Sequence, residues 1–336
     1  MKSLRGLQPS LGLRERRWRW WLLAFVLVVP NTLVAVEAIL FLFIWRFPVF
    51  DWVQITEAVA RIGTGTTYEW TVPAYREDYT DYVYRYSPLL PYVMAPFVAA
   101  GLGAWRLVHI AALFVLPFPI WAVVLIAGPF WFDVANANFL TFVLVSGWFA
   151  ISGDRWGIAA YFSLTALLPR PLMVPLALWL LWRRPESRII AIVIGCVAVV
   201  LTAATGELVP WLEAMLRGTD MIGTKFDWGP GRVIGPWWIP IGTALSVWLT
   251  LRGHLGLAGL AVSPYVLPYY LLILFWELNP DARSTSSRQN EDGVARPVPG
   301  SAPQSLHAHS GCRCRADPIL VGLRPSRRLL MPDAIT

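Results

Sequence analysis

The chain has 336 residues, of which 56% are hydrophobic and only 15% charged. A soluble domain carries about 25% charged residues, so the composition excludes an ordinary soluble protein and points to a polytopic membrane protein, an all-α helical bundle. Nineteen tryptophans fit that class, and the net charge of +7 sits mostly in short loops and tails, where it sets topology and implies no nucleic acid.

Residues 1–19 hold Lys2, Arg5, Arg14, Arg16, Arg17 and Arg19 and are expected in the cytoplasm by the positive-inside rule. The apolar run that follows is too long for a secretory signal and lacks a cleavage site. It forms a first span, 20–45, kinked at Pro30. The segment 46–86 is then an external loop, polar and rich in Tyr. It opens on "FDWVQITEAVARIGTGTTYEW", which places Asp51 ahead of a short helix at 52–62.

A second span at 87–103 ends inside at Arg106. The third, 107–128, leads outward, and the fourth, 132–151, returns to Asp154 and Arg155. The next apolar run is long enough for one tilted span, but one span strands Arg183, Arg184 and Arg188 outside. Two shorter spans meeting at Leu168-Pro169-Arg170-Pro171 keep them inside, and the two prolines break the helix there. A seventh span at 189–205 leads to a second external loop, 206–236, with an amphipathic piece at 211–217. The eighth, 237–251, returns to Arg252. The last apolar run, 255–278, is broken at Ser263-Pro264 and Pro268 and makes one kinked span or two short ones. The total is nine or ten.

The transmembrane domain therefore covers 20–278. From 279 to 336 the composition turns to Ser, Pro, Arg and Gly without apolar period, which reads as a disordered tail. A shifted reading frame would produce the same abrupt break. The tail's Cys312 and Cys314 are a weak metal or redox signal. No cofactor is expected, and no metal.

The outer side collects Asp51, Asn136, Asn138, Arg170, Tyr265, Tyr269 and Tyr270. Polar groups and broken helices at membrane depth face a cavity or one another. Each residue also has a plainer reading. Asp51 can cap its helix, the asparagines can bond between helices, Arg170 can reach the headgroups, and the tyrosines can form an interfacial belt. Glu57, Asp78, Asp81 and Asp133 read as solvated loop charges, and His109 and His254 as structural or cytoplasmic.

Five segments in order resemble the polyprenyl-phosphate-mannose-dependent mannosyltransferases of the GT87 type (the DUF2029 group), within the GT-C membrane glycosyltransferases. They are "DWVQITEAVARIGTGTTY", "YRYSPLLPYVMAPF" with Tyr86, "ANANFLTFVL", "LPRPLMVPLALWLLWRRP" and "SPYVLPYYLLIL". The likeness covers about 20–278, with Ala135 where that family has Gly and Arg170 where it has Lys. It implies an inverting transfer of a hexose, mannose in that family, on the outer face of the cytoplasmic membrane. The donor is a polyprenyl-phosphate sugar and the acceptor a glycan or glycolipid. Asp51 would be the general base and Arg170 the holder of the donor phosphate. Asn136, Asn138, Tyr86, Tyr269 and Tyr270 would line the substrates. Two alternatives stay open: a lipid or sugar-lipid flippase, and a truncated inactive homologue.

Overall fold

The computed structural model describes residues 50–68, 84–216 and 229–282, and every regular element among them is a helix. The basic N-terminus, the first span at 20–45, Asp78, Asp81, Cys312 and Cys314 lie outside the described residues.

Helix α1 (Phe50–Ala60) comes from the first predicted loop. Its buried residues are Asp51, Gln54, Ile55 and Ala58. That spacing is one face of a helix, so the stripe that faces the protein carries a carboxylate and an amide beside two apolar side chains. Asp51 therefore lies inside the first turn of the helix and not ahead of it.

Helix α2 (Leu90–Ala100) starts on Pro91 and stops at Gly101. Gly101 has φ 89° and ψ 164°, a conformation open to glycine alone. There the chain bends by 109° into α3 (Leu102–Leu113). The break thus falls a few residues before the turn expected at 103–106. Arg106 sits in the second turn of α3 and donates from Nη2 to the Ala135 carbonyl at 3.2 Å, three residues from Asn138. A further turn follows α3, at residues 114–117. Helices α4 (Phe118–Ile126) and α5 (Gly128–Asn136) follow, bent by 73°.

Helices α6 (Leu140–Ile151) and α7 (Arg155–Leu167) form a tight pair. Asp154 caps α7 by accepting the Gly157 N–H at 2.6 Å. The prolines at 169 and 171 interrupt the helix, and α8 (Val174–Arg183) leads away after a single 3-10 turn, Pro171–Met173. Arg184 then donates from Nη2 to the Ile151 carbonyl at 2.9 Å. The chain has thus returned to the end where α7 began, as two short segments require and one long span does not.

Helix α9 (Pro185–Ala204), the longest among the described residues, leads to α10 (Leu208–Leu216). After α11 (Gly231–Ile234) and a 3-10 turn come α12 (Trp238–Leu251) and α13 (Leu255–Val262). An eleven-residue 3-10 segment, Pro268–Leu278, closes the described core. Glu277 near its end bonds His254 at 2.9 Å and accepts the Gly256 N–H at 3.0 Å. The last apolar run is therefore two segments lying back to back.

Among the described residues two helices, Pro185–Ala204 and Gly231–Leu251, are long and apolar enough to cross a membrane, or up to four if each bent pair is one span. Their apolar side chains are largely uncovered: Ile189 is 70% exposed and Ile239 60%. A face of that kind is covered by lipid or by another protein surface, and the apolar helices are compatible with a membrane protein. The finer count of nine or ten spans does not follow from helix length. The thirteen residues of α7 reach about 20 Å, against a hydrocarbon core of about 30 Å.

Candidate functional site

Asp51 is 7% exposed, and its Oδ2 accepts the Asn138 Nδ2–H at 2.5 Å. Asn138 is held from several directions. Helix α5 ends at Asn136, and Ala137 turns the chain in the left-handed region with φ 55°. Asn138 Oδ1 accepts the Phe139 N–H at 2.8 Å. From α3, Trp105 donates from Nε1 to the Ala137 carbonyl at 3.1 Å. His109 presents Nε2 to the Asn138 carbonyl and Nδ1 to the Trp105 carbonyl. Three side chains of α3, Trp105, Arg106 and His109, thus brace the turn that carries Asn138.

Asp133 overturns its expected place as a solvated loop charge. It is fully buried and accepts Leu140 N–H at 3.1 Å, Thr141 N–H at 2.8 Å and the Thr141 hydroxyl at 2.6 Å. It serves the open N–H groups at the start of α6. The acidic residue sits seven positions before the helix it serves, so a rule that looks only at the residue next to a helix passes over it.

Arg170 is 8% exposed, in extended backbone between its two prolines. Its Nη2 donates to the Tyr86 hydroxyl at 2.7 Å. The guanidinium carbon lies 5.5 Å from the Tyr86 ring centre and 5.8 Å from that of Tyr270. Its buried Nη1 has no hydrogen-bond partner. Tyr86 is held in turn by the Tyr68 hydroxyl, which donates to its carbonyl at 2.7 Å, and by Ser87 N–H on the Leu167 carbonyl at 3.1 Å. Tyr269 and Tyr270 come from the start of the 3-10 segment, with ring centres 5.3 Å apart.

Asp51, Asn138, Arg170, Tyr86, Tyr269 and Tyr270 therefore gather from five chain segments. Asn136 donates from Nδ2 to the Phe132 carbonyl one turn back at 2.8 Å, whereas Asn138 reaches Asp51. Burial raises the Asp51 carboxyl above its ordinary 3.8, Arg170 and the Asn138 hydrogen bond pull it back down, and Asp133 pushes it up. Burial also holds the Tyr86 hydroxyl neutral, by raising it well above the usual tyrosine range. That hydroxyl accepts from Arg170 and keeps its own proton to donate.

Comparisons of the chain with family models, curated proteins and solved structures find no match.

Next to this cluster runs an open apolar groove of about 700 Å³ between α2, α3, α6 and α7. Its walls extend from Leu90, Phe139 and Leu167 down to Phe149 and Trp156. Phe139 is at once a groove wall and a neighbour of Tyr86, with ring centres 6.1 Å apart. Among the described residues no three His, Cys, Asp or Glu side chains gather as a metal site.

Over the cluster the two predicted external loops meet. Thr67 donates to Glu207 Oε1 at 2.7 Å, and Trp211 donates from Nε1 to the Arg85 carbonyl at 3.3 Å. Ala58, Tyr68, Tyr84 and Ala214 pack together there. The bracing residues Trp105, Arg106 and His109 carried no sequence signal as a site, since they serve a turn 29 to 32 positions away. Gln54 did carry one: it stands three residues after Asp51 on the same face of α1.

Proposed function

We propose that the protein is a membrane glycosyltransferase. It moves a hexose, mannose by family resemblance, from a polyprenyl-phosphate donor to a hydroxyl of a glycan or glycolipid on the outer face of the cytoplasmic membrane. The observation that carries this reading is the buried, unpartnered Nη1 of Arg170 in one cluster with the buried carboxylate of Asp51. An unpartnered buried donor on a cation costs free energy, and a phosphate oxygen would complete it.

In the reaction the acceptor hydroxyl oxygen attacks the anomeric carbon. The bond from that carbon to the phosphate oxygen breaks, and its electron pair leaves with the polyprenyl phosphate. The acceptor's proton passes to Asp51, within hydrogen-bond reach. Asn138 holds the carboxylate in place. Arg170 stabilises the charge that grows on the leaving phosphate, and Tyr86, oriented by Arg170, donates its proton toward the same oxygens. The polyprenyl chain lies in the apolar groove, whose wall at Phe139 reaches the ring of Tyr86. The attack comes from the face opposite the leaving group, so the configuration inverts.

The groups at the far end of the helices favour an enzyme over a flippase. Asn279 is bonded to the Trp148 carbonyl and the Ser152 hydroxyl, and Glu277 to the start of α13. These polar groups are occupied by the fold and offer no second binding face for alternating access.

The test is transfer by the purified protein from polyprenyl-phosphoryl mannose, compared with its Asp51→Asn variant. Loss of about 100-fold or more is expected, the low end for a positioned acid–base group. Equal rates would remove Asp51 as the base. No binding of the donor to the wild type would remove the reading altogether.

A further inference from the structure

Gln54 is 1% exposed, its Nε2 has no hydrogen-bond partner, and the proposed chemistry above makes no use of it. It lies one turn from Asp51 on the buried face of α1, beside Ile55. Leucine at this place would bury its side chain without leaving a polar group unsatisfied, whereas the amide pays for a donor that meets nothing in the empty protein. Unsatisfied buried donors of this sort accompany function more often than stability.

The two polar side chains of the stripe have complementary roles. Asp51 accepts a proton, and Gln54 offers one without giving it up. Three residues of helix advance about 4.5 Å, a separation that side-chain reach adjusts to neighbouring hydroxyls on a sugar ring. We propose that Gln54 binds the acceptor, donating from Nε2 to the ring hydroxyl beside the one that Asp51 deprotonates. The acceptor is then a carbohydrate with adjacent hydroxyls, and not a lone lipid alcohol or a protein serine. This inference rests on the glycosyltransferase reading and adds to it the residue that holds the acceptor. A site built to hydrogen-bond a hydroxyl strongly disfavours the analogue that lacks it.

The experiment uses full-length protein in lipid nanodiscs, with octyl mannoside and its monodeoxy analogues as acceptor probes. Gln54→Leu is expected to melt no lower than the wild type, because it removes an unsatisfied buried donor. It is also expected to raise the KM for octyl mannoside by about tenfold or more, the factor for one hydrogen bond, with donor affinity unchanged. One monodeoxy analogue should suffer the same loss on the wild type and no further loss on Gln54→Leu. An unchanged acceptor KM, or a loss confined to donor affinity, would overturn the proposal. Calorimetric binding of octyl mannoside without donor separates this outcome from failure of the transferase reading. Binding to the wild type that Gln54→Leu loses supports the acceptor role even without turnover. Equal binding to both, or none to the wild type, overturns it.

Discussion

Asp51 is under opposing demands: burial favours its neutral form, while Arg170 and Asn138 favour the charged form that a base needs. The sign of the pH effect follows. An acid raised in the folded state costs stability as pH climbs from its unfolded value through its folded one, because the folded state holds the proton longer. Asp51→Asn removes that cost. It should therefore melt at or above the wild-type temperature at neutral pH, with the difference fading below about pH 3.8, where both states are protonated. Melting curves at several pH values check this, and a large drop at neutral pH would show that the ionised carboxylate stabilises the fold. The same balance fixes the acid limb of the activity profile. Arg170→Met deletes the nearby positive charge, so Asp51 holds its proton to higher pH and the limb moves upward. The variant should also lose roughly 10- to 150-fold in rate at the optimum, from about 1.5–3 kcal/mol for a charge-assisted bond. Arg170→Lys keeps the charge but not the fork, so the limb should stay near its wild-type place while part of the rate is lost. An Arg170→Met profile with unchanged limb and rate would reduce Arg170 to a structural partner of Tyr86.

At the scale of elements, the site depends on two glycines whose side-chain hydrogen has a definite consequence. Gly101 has open space around it but a backbone conformation that only glycine adopts readily. Gly101→Ala should lower stability by about 1–3 kcal/mol, through strain alone. Because the bend aims α3 at the Asn138 turn, activity should fall with it. Gly259 in α13 acts by closeness: a Cβ there would come within 2.6 Å of the Leu172 carbonyl, in the turn that follows Arg170. Gly259→Val should push that turn away and weaken donor binding, although no charge is altered, and donor titration of the folded variant is the check. These two cases also show what was legible in the sequence. The proline pair around Arg170 and the break at Ser263-Pro264 announced themselves, because proline removes helical hydrogen bonds wherever it stands. Asp51, Asn138 and the tyrosines could be gathered by their chemistry and their expected side. The bend at Gly101 was legible only to within a few residues, since a glycine inside an apolar run reads equally as helix. The roles of Asp133, His109 and Arg106 were not legible, because a side chain that serves a distant backbone group leaves no local period. Nor could the sequence say which of Asn136 and Asn138 meets Asp51: the two have the same chemistry, and only the left-handed turn at Ala137 puts Asn138 on the carboxylate.

At the scale of the whole molecule, the helices have two unlike ends. One joins Asp51, Arg170 and the contact between the two loops, through Thr67 and Glu207. The other holds Arg155, Arg183, Arg184, Arg188 and Arg252 near the turns that follow α6, α8 and α12. Exposed tryptophans accompany these arginines: Trp156 is 83% exposed, Trp182 52% and Trp248 51%. Arg183 lies 4.3 Å over the Trp182 ring, and Arg252 5.4 Å over that of Trp248. Tryptophan beside arginine is the pattern of a membrane–water interface, and an excess of arginine marks its cytoplasmic side. The arginine end is thus expected inside and the Asp51 end outside, where a donor presented on the outer leaflet meets it. Cysteine labelling in a background without Cys196, Cys312 and Cys314 tests this. Thr64→Cys and Glu213→Cys place exposed thiols on the two loops, and Trp156→Cys places one at the arginine end. In intact cells an impermeant thiol reagent should modify the first two and reach the third only after lysis. The reverse pattern would invert the topology and put the site beyond the reach of an external donor. Labelling of Thr64→Cys without Glu213→Cys would separate the loops and break the contact through Glu207, taking with it the roof over the proposed site.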